Sequence, residues 1–450
     1  MTLLSRPTWP TRPTAPAAPP CLDGLRDYQC DGVAWLRSRL DRGLSSALWD
    51  EMGLGKTAQS LRALPLRARC LVVCPASVRG QWIAETRRWR PDLRPAPHEG
   101  RPPMEGEVLV MSYDALPDLD PRSPALFVGE DWSQVVAIFD EAHRASNADA
   151  ARTRKVRRLV GQCRAAWALT GTPLRGTAGE LWGLLVTFGL SREAFPGGRD
   201  EYDRMCSTTY EEVYVRRLGR SISKPRHGEI GPEVEERLRA VALRRLSKDH
   251  LDLPPVEWID VPCEAPRDLR DYLDSVTPQW NRYDPDELPP FELYSAATAA
   301  LARSRCAAAV DLARDVARDR QVLVFSAHLD PIHAVSKALR VPAITGAESD
   351  RERQATVARF MGGKQRVLPA TIQVGGEGLN LQAAGAGILV DQTFVPAETE
   401  QAVRRFARYG QKLDRVFVYR MVTDHPLDQR ICRIHDQKRR LAAQIVDGGR

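Results

Sequence analysis

The sequence lacks long hydrophobic runs and paired cysteine motifs, and each absence removes a class of protein. No uninterrupted apolar stretch in the 450 residues approaches the roughly 18–20 residues that a membrane-spanning helix needs. The N-terminal segment MTLLSRPTWPTRPTAPAAPP has no apolar core of the kind found in secretory signals. The nine cysteines are an odd number without a Cys-x-x-Cys pair, which argues against a disulfide framework and against a zinc site. We therefore expect free thiols in a reducing cytoplasm, with no membrane and no zinc among the partners.

Positive charge is what the sequence has in excess. Lys and Arg number 65 against 58 Asp and Glu, which gives a net charge of +7 and a pI near 9.0. The hydrophobic fraction of 43% and the charged fraction of 27% are typical of globular domains. A basic surface fits a partner rich in phosphate. Arginines that only solvate a large surface would give the same charge, so charge alone does not identify the partner.

Two sets of short apolar runs, each followed by turn residues and an amphipathic stretch, predict two parallel sheets covered on both faces. The first set is 71–74, 108–111, 135–139 and 166–169, and the second is 322–325, 343–345, 370–372, 388–390 and 416–419. The predicted fold class is therefore α/β, with two parallel-sheet lobes and a helical insertion between them. We divide the chain into a disordered proline-rich tail (1–20), a first lobe (21–255) with a helical insertion from about 175, a linker or helical insertion (256–300) and a second lobe (301–450).

The run ALWDEMGLGKTAQSL, residues 47–61, ends in a phosphate-binding loop pattern. Backbone amides from Gly53 to Thr57 would hold phosphates at the start of a helix, where the helix dipole favours negative charge. Lys56 would reach the β- and γ-phosphates, and the Thr57 hydroxyl would bind Mg²⁺. Asp50 stands where the pattern expects a small residue. A glycine-rich turn without a ligand is the alternative that this loop alone leaves open.

A second motif, which is acidic, lies at the end of an apolar strand: Ile138-Phe139-Asp140-Glu141-Ala142-His143. A carboxylate at the carboxyl end of a strand beside a phosphate loop is suited to bind a metal ion. We expect Asp140 to hold Mg²⁺ and Glu141 to orient or activate the attacking water. The order of the two motifs makes a coincidental acidic pair a poor explanation.

With these motifs the chain resembles the Swi/Snf family of double-stranded-DNA translocases, a branch of helicase superfamily two. That family has Asp at the position of Asp50, so the departure in the loop is itself a family feature. The resemblance implies two RecA-like lobes with ATP and Mg²⁺ in the cleft between them. It also implies double-stranded or branched DNA as the partner and ATP-driven movement along the duplex without necessary strand separation. The resemblance also implies that the protein acts in the cytoplasm, and at the nucleoid if it is prokaryotic or viral.

The family's motifs place nucleotide-binding roles along nearly the whole chain. Gln29, in Leu25-Arg26-Asp27-Tyr28-Gln29, corresponds to the residue that reads adenine, and the frame from Gln401 to Gln411 contains two arginines, Arg405 and Arg408, that would act on the γ-phosphate from the second lobe. The implied catalytic residues are Lys56, Asp140, Glu141, Arg405 and Arg408. The implied nucleotide-binding residues are Gln29, Asp50, Gly53, Leu54, Gly55, Lys56, Thr57, Gly376 and Gly378.

The family's DNA-contact and coupling motifs imply a third set of residues. These are Ser77, Ser112, Tyr113, Thr170, Ser326, Thr345 and Thr371. We interpret Trp82 as a packing residue. Leu174-Arg175-Gly176 and Glu377 depart from the family pattern and bear on coupling. They leave two alternatives: a strand-separating DNA or RNA helicase, and an ATP-gated DNA clamp that does not translocate.

Overall fold

Strands alternate with helices along most of the chain in the computed structural model, which describes residues 24–117, 131–173, 178–215, 220–226, 230–284, 288–375, 381–408 and 410–447. The tail predicted for 1–20, Leu174-Arg175-Gly176 and the three positions Gly376, Glu377 and Gly378 lie outside the described residues. No helix in the described part is both long and apolar enough to cross a membrane.

The chain forms fourteen strands in its described part. They are β1 (Ser46–Leu48), β2 (Arg69–Cys74), β3 (Arg94–Pro97), β4 (Glu107–Ser112), β5 (Val135–Asp140), β6 (Ala165–Leu169), β7 (Thr209–Val215), β8 (Arg220–Arg226), β9 (Ala242–Leu243), β10 (Val256–Cys263), β11 (Val322–Ser326), β12 (Val367–Thr371), β13 (Ala386–Leu389) and β14 (Val416–Thr423).

The helices of the same described ranges cover these strands. They are α1 (Asp27–Asp41), α2 (Lys56–Ala63), α3 (Arg79–Trp89), α4 (Ala151–Val160), α5 (Ala178–Thr187), α6 (Ser191–Ala194), α7 (Gly198–Met205), α8 (Pro232–Leu238), α9 (Ser247–His250), α10 (Arg267–Trp280), α11 (Phe291–Ser304), α12 (Cys306–Asp319), α13 (Leu329–Leu339), α14 (Asp350–Met361), α15 (Ile372–Gly375), α16 (Pro396–Val403) and α17 (Pro426–Asp447).

The first lobe is built on a seven-stranded parallel sheet in the order β3-β4-β2-β5-β6-β1-β9. Its central strands are apolar along their length because both faces are covered. In β5, Ala137 and Phe139 pack into one core, whereas Val136 and Ile138 pack into the core on the opposite face. This alternation confirms the two-sided burial predicted from the continuous apolar runs.

The second lobe is built on a five-stranded parallel sheet in the order β10-β14-β13-β11-β12. Strand β12 lies at an edge, which explains how it tolerates Pro369: a residue without an N–H loses nothing where no further strand pairs. The Pro369 carbonyl still accepts a bond from the Ile344 amide, at 2.9 Å. The α/β class with two parallel sheets is therefore confirmed.

The stretch between the two sheets differs in detail from the expected helical insertion. Helices α5 to α9 lie within 178–250, but β7 and β8 form an antiparallel hairpin in the same stretch. Strand β10 begins at Val256, inside the predicted linker, and pairs with β14 over its whole length. The domain boundaries stay a prediction, and we propose that the second lobe starts at β10.

The parallel arrangement brings distant loops to one edge of the first sheet. Strands β5, β6 and β1 are neighbours, so the segments that follow them lie side by side at their carboxyl ends. These segments are 49–55, 141–143 and 170–173. The phosphate-loop pattern, the acidic motif and the Thr-Gly-Thr motif therefore meet at one place.

Candidate functional site

The loop between β1 and α2 has the backbone of a phosphate-binding loop. Gly53 and Gly55 have φ of 87° and 76°, in the left-handed region that favours glycine. At Gly55 a Cβ atom would also lie 2.4 Å from Gln29 Nε2, so a side chain there would displace the Gln29 amide. Helix α2 starts directly after it at Lys56, and its first-turn amides lack intrahelical partners. The loop can therefore present backbone donors to an anion.

The Lys56 ammonium is held by its own loop. Its Nζ donates to the Asp50 carbonyl at 2.7 Å and to the Glu51 carbonyl at 3.4 Å. Burial lowers the pKa of Lys56, and the nearby carboxylates of Glu141, Asp50 and Asp140 act in the opposite direction. The three carboxylates thus oppose the effect of burial and favour the charged ammonium. A phosphate bound beside them would need positive charge to offset their repulsion.

Gln29 is fixed between α1 and the loop. Its Nε2 donates to the Leu54 carbonyl at 3.1 Å, and its Oε1 accepts from the Arg26 amide at 2.9 Å. The same Leu54 carbonyl accepts from Tyr28 OH at 3.3 Å and Gln59 Nε2 at 3.0 Å. Three donors on one oxygen hold the turn in place. The reading of adenine by Gln29 stays a prediction, and the geometry adds a second role, which is to position the loop.

The Asp50 side chain is fully buried and anchors the loop from within. Its two oxygens accept a fork of bonds from Arg245, at 2.9 Å from Nε and 2.5 Å from Nη2. Gln59 Nε2 donates to the same carboxylate at 3.0 Å. Arg245 also donates to Gln59 Oε1 at 2.6 Å and to the Tyr28 carbonyl. Sequence reasoning missed Arg245 as a functional residue because it lies 195 positions from its partner.

Asp140 ends β5 with its carboxylate held by two donors. Trp82 Nε1 donates to Oδ2 at 2.9 Å, and the Glu141 amide donates to Oδ1 at 3.0 Å. The Asp140 carbonyl accepts from Tyr113 OH at 2.9 Å. Burial, together with the Glu141 charge, raises the pKa of Asp140 from 3.8 to about 6, against the effects of Trp82 and Lys56. Trp82 is therefore more than the packing residue predicted from sequence.

Glu141 adopts a left-handed backbone conformation, with φ 51° and ψ 49°. This conformation is uncommon for a residue with a side chain and costs on the order of 1 kcal/mol or more. Its Oε2 lies 3.4 Å from His143 Nδ1 but makes no hydrogen bond within the described ranges. A buried carboxylate oxygen in this position can accept a proton from a water molecule.

A polar chain links the acidic motif to the second lobe. His143 Nδ1 lies 2.9 Å from Thr170 Oγ1 and 3.5 Å from Thr172 Oγ1. The Thr172 amide donates to Thr170 Oγ1 at 3.1 Å, and Gln401 Nε2 donates to Thr172 Oγ1 at 3.5 Å. Three side chains, those of His143, Thr170 and Thr172, thus lie between the Glu141 carboxylate and Gln401 of α16 in the second lobe.

Arg405 of the second lobe faces the carboxylates of the first. Burial lowers the pKa of the Arg405 guanidinium, and the charges of Glu141 and Asp140 across the cleft raise it. Burial and repulsion from Arg405 lower the pKa of Arg408. The two predicted arginines therefore lie together, and Arg405 lies close to the residues expected to act on the attacking water and the metal.

Arg404 makes a further contact across the cleft that the sequence did not reveal. Its Nη2 donates to Glu51 Oε1 at 2.8 Å, and the other Glu51 oxygen accepts from the Ser247 amide at 2.7 Å. Burial opposes ionisation of Glu51, but Arg404 and Ser247 outweigh it and lower the pKa of that carboxyl. The phosphate loop is thus paired with the second lobe through an ionised carboxylate.

Most of the hydroxyls predicted to contact DNA are buried. Thr170 bonds to His143, Ser326 Oγ donates to Asp391 Oδ2 at 2.9 Å, and Tyr113 bonds to Asp140. Ser112 and Thr371 are buried as well, whereas Ser77 and Thr345 are partly exposed. The five buried residues support the loops from inside, so direct contact with a duplex remains a prediction that best suits Ser77 and Thr345.

The chemistry of the donors near the loop fits Mg²⁺. Asp140 offers a carboxylate whose pKa is raised by burial and by the Glu141 charge, and a bound cation would favour its ionised form. Thr57 offers a hydroxyl at the start of α2. Within the described residues there is no group of three or more His, Cys, Asp or Glu side chains that could hold a metal by itself. Mg²⁺ bound by one carboxylate, a hydroxyl, phosphates and water does not need such a group.

Comparison with known proteins identifies both lobes. Residues 28–257 match the sequence profile of the SNF2-related domain, and residues 304–410 match that of the helicase conserved C-terminal domain. A putative ATP-dependent helicase/translocase, YwqA of Bacillus subtilis, is 27% identical over 467 residues, covering 94% of this chain and 49% of YwqA. SWI/SNF-related matrix-associated actin-dependent regulator of chromatin subfamily A member 1 of Mus musculus is 28% identical over 469 residues, covering 95% of this chain and 44% of the relative.

The chain spans less than half the length of the curated relatives it matches. Among solved structures, the Sulfolobus solfataricus SWI2/SNF2 ATPase core in complex with dsDNA aligns with a TM-score of 0.41 and 20% identity, covering 94% of this chain and 93% of that one.

Removal of Arg245 should destabilise the first lobe strongly. The Arg245→Ala change leaves the Asp50 charge buried without its partner, a situation that costs roughly 3–5 kcal/mol. We expect the free energy of unfolding, measured by urea denaturation, to fall by that amount. The matched control is Arg314→Ala, which breaks an exposed pair with Asp311 and should cost less than about 1 kcal/mol. Equal losses in the two variants would contradict the anchoring role.

Asp140→Asn should shift the stability relative to the parent in favour of the variant as the pH rises, in the absence of nucleotide and Mg²⁺. The folded chain keeps the Asp140 proton up to about pH 6, whereas the ordinary pKa is 3.8. Stability contributed by that proton is therefore lost as the pH rises from about 4 to about 6. The variant's advantage in free energy of unfolding should grow across this window to the order of 1–3 kcal/mol and then stay level.

An Asp140→Asn curve that runs parallel to the parent curve would contradict a buried Asp140 that titrates near pH 6.

Proposed function

Because the chain belongs to the SNF2-related family, whose profile covers just over half of it, we propose that it is a DNA-stimulated ATPase that moves along duplex DNA. The match confirms the resemblance to the Swi/Snf family inferred from the motifs. The observation that supports the proposal is that the second lobe reaches the first, since Arg404 pairs with Glu51 at 2.8 Å and Arg405 lies within the electrostatic influence of Asp140 and Glu141. A site completed by both lobes can link hydrolysis to their relative movement.

ATP would bind with its phosphates on the loop after β1. Backbone amides between Gly53 and Thr57 would surround the phosphates, and Lys56 would exchange its two loop carbonyls for β- and γ-phosphate oxygens. Asp140 and the Thr57 hydroxyl would hold Mg²⁺, which neutralises charge on the phosphates when it is bound. The placement of Gly376 and Gly378 at the nucleotide stays a prediction.

Hydrolysis would use Glu141 and the arginines of the second lobe. The Glu141 Oε2 oxygen, which has no hydrogen bond within the described part of the chain, would orient a water and accept its proton as the water oxygen bonds to the γ-phosphorus. The bond from that phosphorus to the β–γ bridging oxygen breaks, and ADP leaves. Arg405 and Arg408 would stabilise the charge that develops on the transferred group, an effect of roughly 10³–10⁵ in related enzymes.

Coupling to DNA would follow the polar chain from the acidic motif. Proton transfer to Glu141 changes the charge beside His143, and His143 is bonded through Thr170 and Thr172 toward Gln401. The lobes would thus respond to each hydrolysis event. Contacts to DNA would go mainly to phosphates, in keeping with the net charge of +7, so binding should weaken steeply with salt and show little sequence preference.

The test is the ATPase rate with no nucleic acid, duplex DNA, single-stranded DNA and RNA. We expect duplex DNA to stimulate the rate most, because the family's motor tracks the duplex backbone, and we expect stimulation to decline as salt is raised. Lys56→Ala is the control and should bring all four rates to background. Mg²⁺ chelation should do the same.

The other outcomes separate the alternatives. Stimulation mainly by single strands or RNA would favour a strand-separating helicase. Duplex-stimulated hydrolysis that displaces no third strand from a triplex would favour an ATP-gated clamp. A rate that is flat across substrates and insensitive to Lys56→Ala would contradict the proposal altogether.

A further inference from the structure

A second concave site lies in the second lobe, away from the cleft. Its cavity has a volume of about 650 Å³ and is lined by residues from four parts of the chain: 319–321; 361, 363 and 366; 382, 383 and 385; and 410–413. The first three precede strands β11, β12 and β13 respectively. The cavity therefore opens at the amino-terminal ends of the strands, the edge opposite to the one that carries Ser326 and the polar residues after β13. Its volume is in the range of small-ligand sites.

Positive charge dominates the lining. Arg320, Arg366 and Lys412 contribute three cations, whereas Asp319 contributes the single carboxylate. Within the described residues, neither Arg366 nor Lys412 pairs with a carboxylate, and both are exposed. The Arg320 guanidinium is oriented by the Phe417 ring, whose centroid lies 4.5 Å away. Cations that are not paired within the protein are available to an anionic ligand.

Glycines keep the wall of the cavity open. Gly363 and Gly410 have φ of 73° and 87°, and nothing lies within 4 Å of a Cβ placed on Gly363. A Cβ on Gly385 would lie 2.7 Å from Leu413 Cδ1, so glycine lets that segment approach closely. Met361 and Ala383 supply apolar surface. The lining thus combines exposed cationic side chains with glycines and apolar side chains.

The cavity wall is bonded to the backbone that carries the catalytic arginines. Gln411 lines the cavity, and its Nε2 donates to the Phe406 carbonyl at 3.1 Å and to the Ala384 carbonyl at 2.8 Å. The Leu381 amide, next to the lining segment 382–385, donates to the Arg405 carbonyl at 3.2 Å. A ligand that orders these segments would therefore act on the position of Arg405.

We propose that this cavity binds an oligophosphate anion at a site separate from the nucleotide cleft. The phosphate groups are those of a free polyphosphate or of a nucleic-acid strand, since both present closely spaced oxyanions. Arg366 and Lys412 bind the oxyanions, with Arg320 held in place by Phe417. The site does not rest on hydrolysis in the cleft.

The test is calorimetric titration of inorganic tripolyphosphate, without free Mg²⁺, into the full chain whose cleft has been saturated with a non-hydrolysable ATP analogue. The parent protein should show one further binding event. Arg366→Glu and Lys412→Glu should each weaken that event about tenfold or more, because each removes a charged bond to an oxyanion and adds a repelling carboxylate. Lys364→Glu, an equal charge change on the same exposed loop but outside the lining, is the matched control and should leave it within about twofold.

The absence of a second event in the parent, or an equal loss in Lys364→Glu, would overturn the proposal. Basal ATPase, measured in parallel, should be unchanged in all three variants, so failure of this site is distinguishable from failure of the motor. Displacement of tripolyphosphate by a short duplex would identify a nucleic-acid backbone as the source. Retention of tripolyphosphate in the presence of the duplex would identify a free polyphosphate.

Discussion

The buried ion pair between Asp50 and Arg245 is the interaction on which the proposed nucleotide site depends. One guanidinium bonds at once to the phosphate loop, to α2 through Gln59 and to α1 through the Tyr28 carbonyl. The loop, the helix that follows it and the helix that carries Gln29 are therefore fixed relative to each other by a single residue near the end of the first lobe. An aspartate is needed at position 50 because only a carboxylate accepts both bonds of the fork while balancing the charge.

The cleft between the lobes is governed by charges that neither lobe balances alone. Arg404 is paired with Glu51 of the phosphate loop, and Arg405, the next residue, faces Asp140 and Glu141. Arg404 thus contacts the loop after β1, and the next residue lies within the electrostatic influence of the acidic motif. Burial and the Glu141 charge raise the pKa of Asp140, so positive charge from a bound metal would favour its ionised form.

Buried strands could be predicted from the sequence, whereas contacts between residues far apart in the chain could not. The long apolar strands, such as β5 and β11, are confirmed because continuous burial leaves a continuous apolar run. Strands β1 and β9 were missed because three and two residues carry no periodicity, and β10 was missed because Pro262 and acidic residues interrupt it. The partner of Asp50 could not be found, since the sequence does not show which distant arginine folds back onto a loop.

The role of Arg405 is tested most directly by comparing two affinities of the protein. One is the affinity for ADP with fluoroaluminate, a mimic of the reacting phosphoryl group, and the other is the affinity for ADP alone. If Arg405 acts on that group across the cleft, the parent should bind the mimic at least about 10²-fold more tightly than ADP, as transition-state analogues do. Arg405→Ala should remove this preference and leave the affinity for ADP unchanged. A variant that keeps the full preference for the mimic would contradict the claim that the second lobe completes the catalytic site.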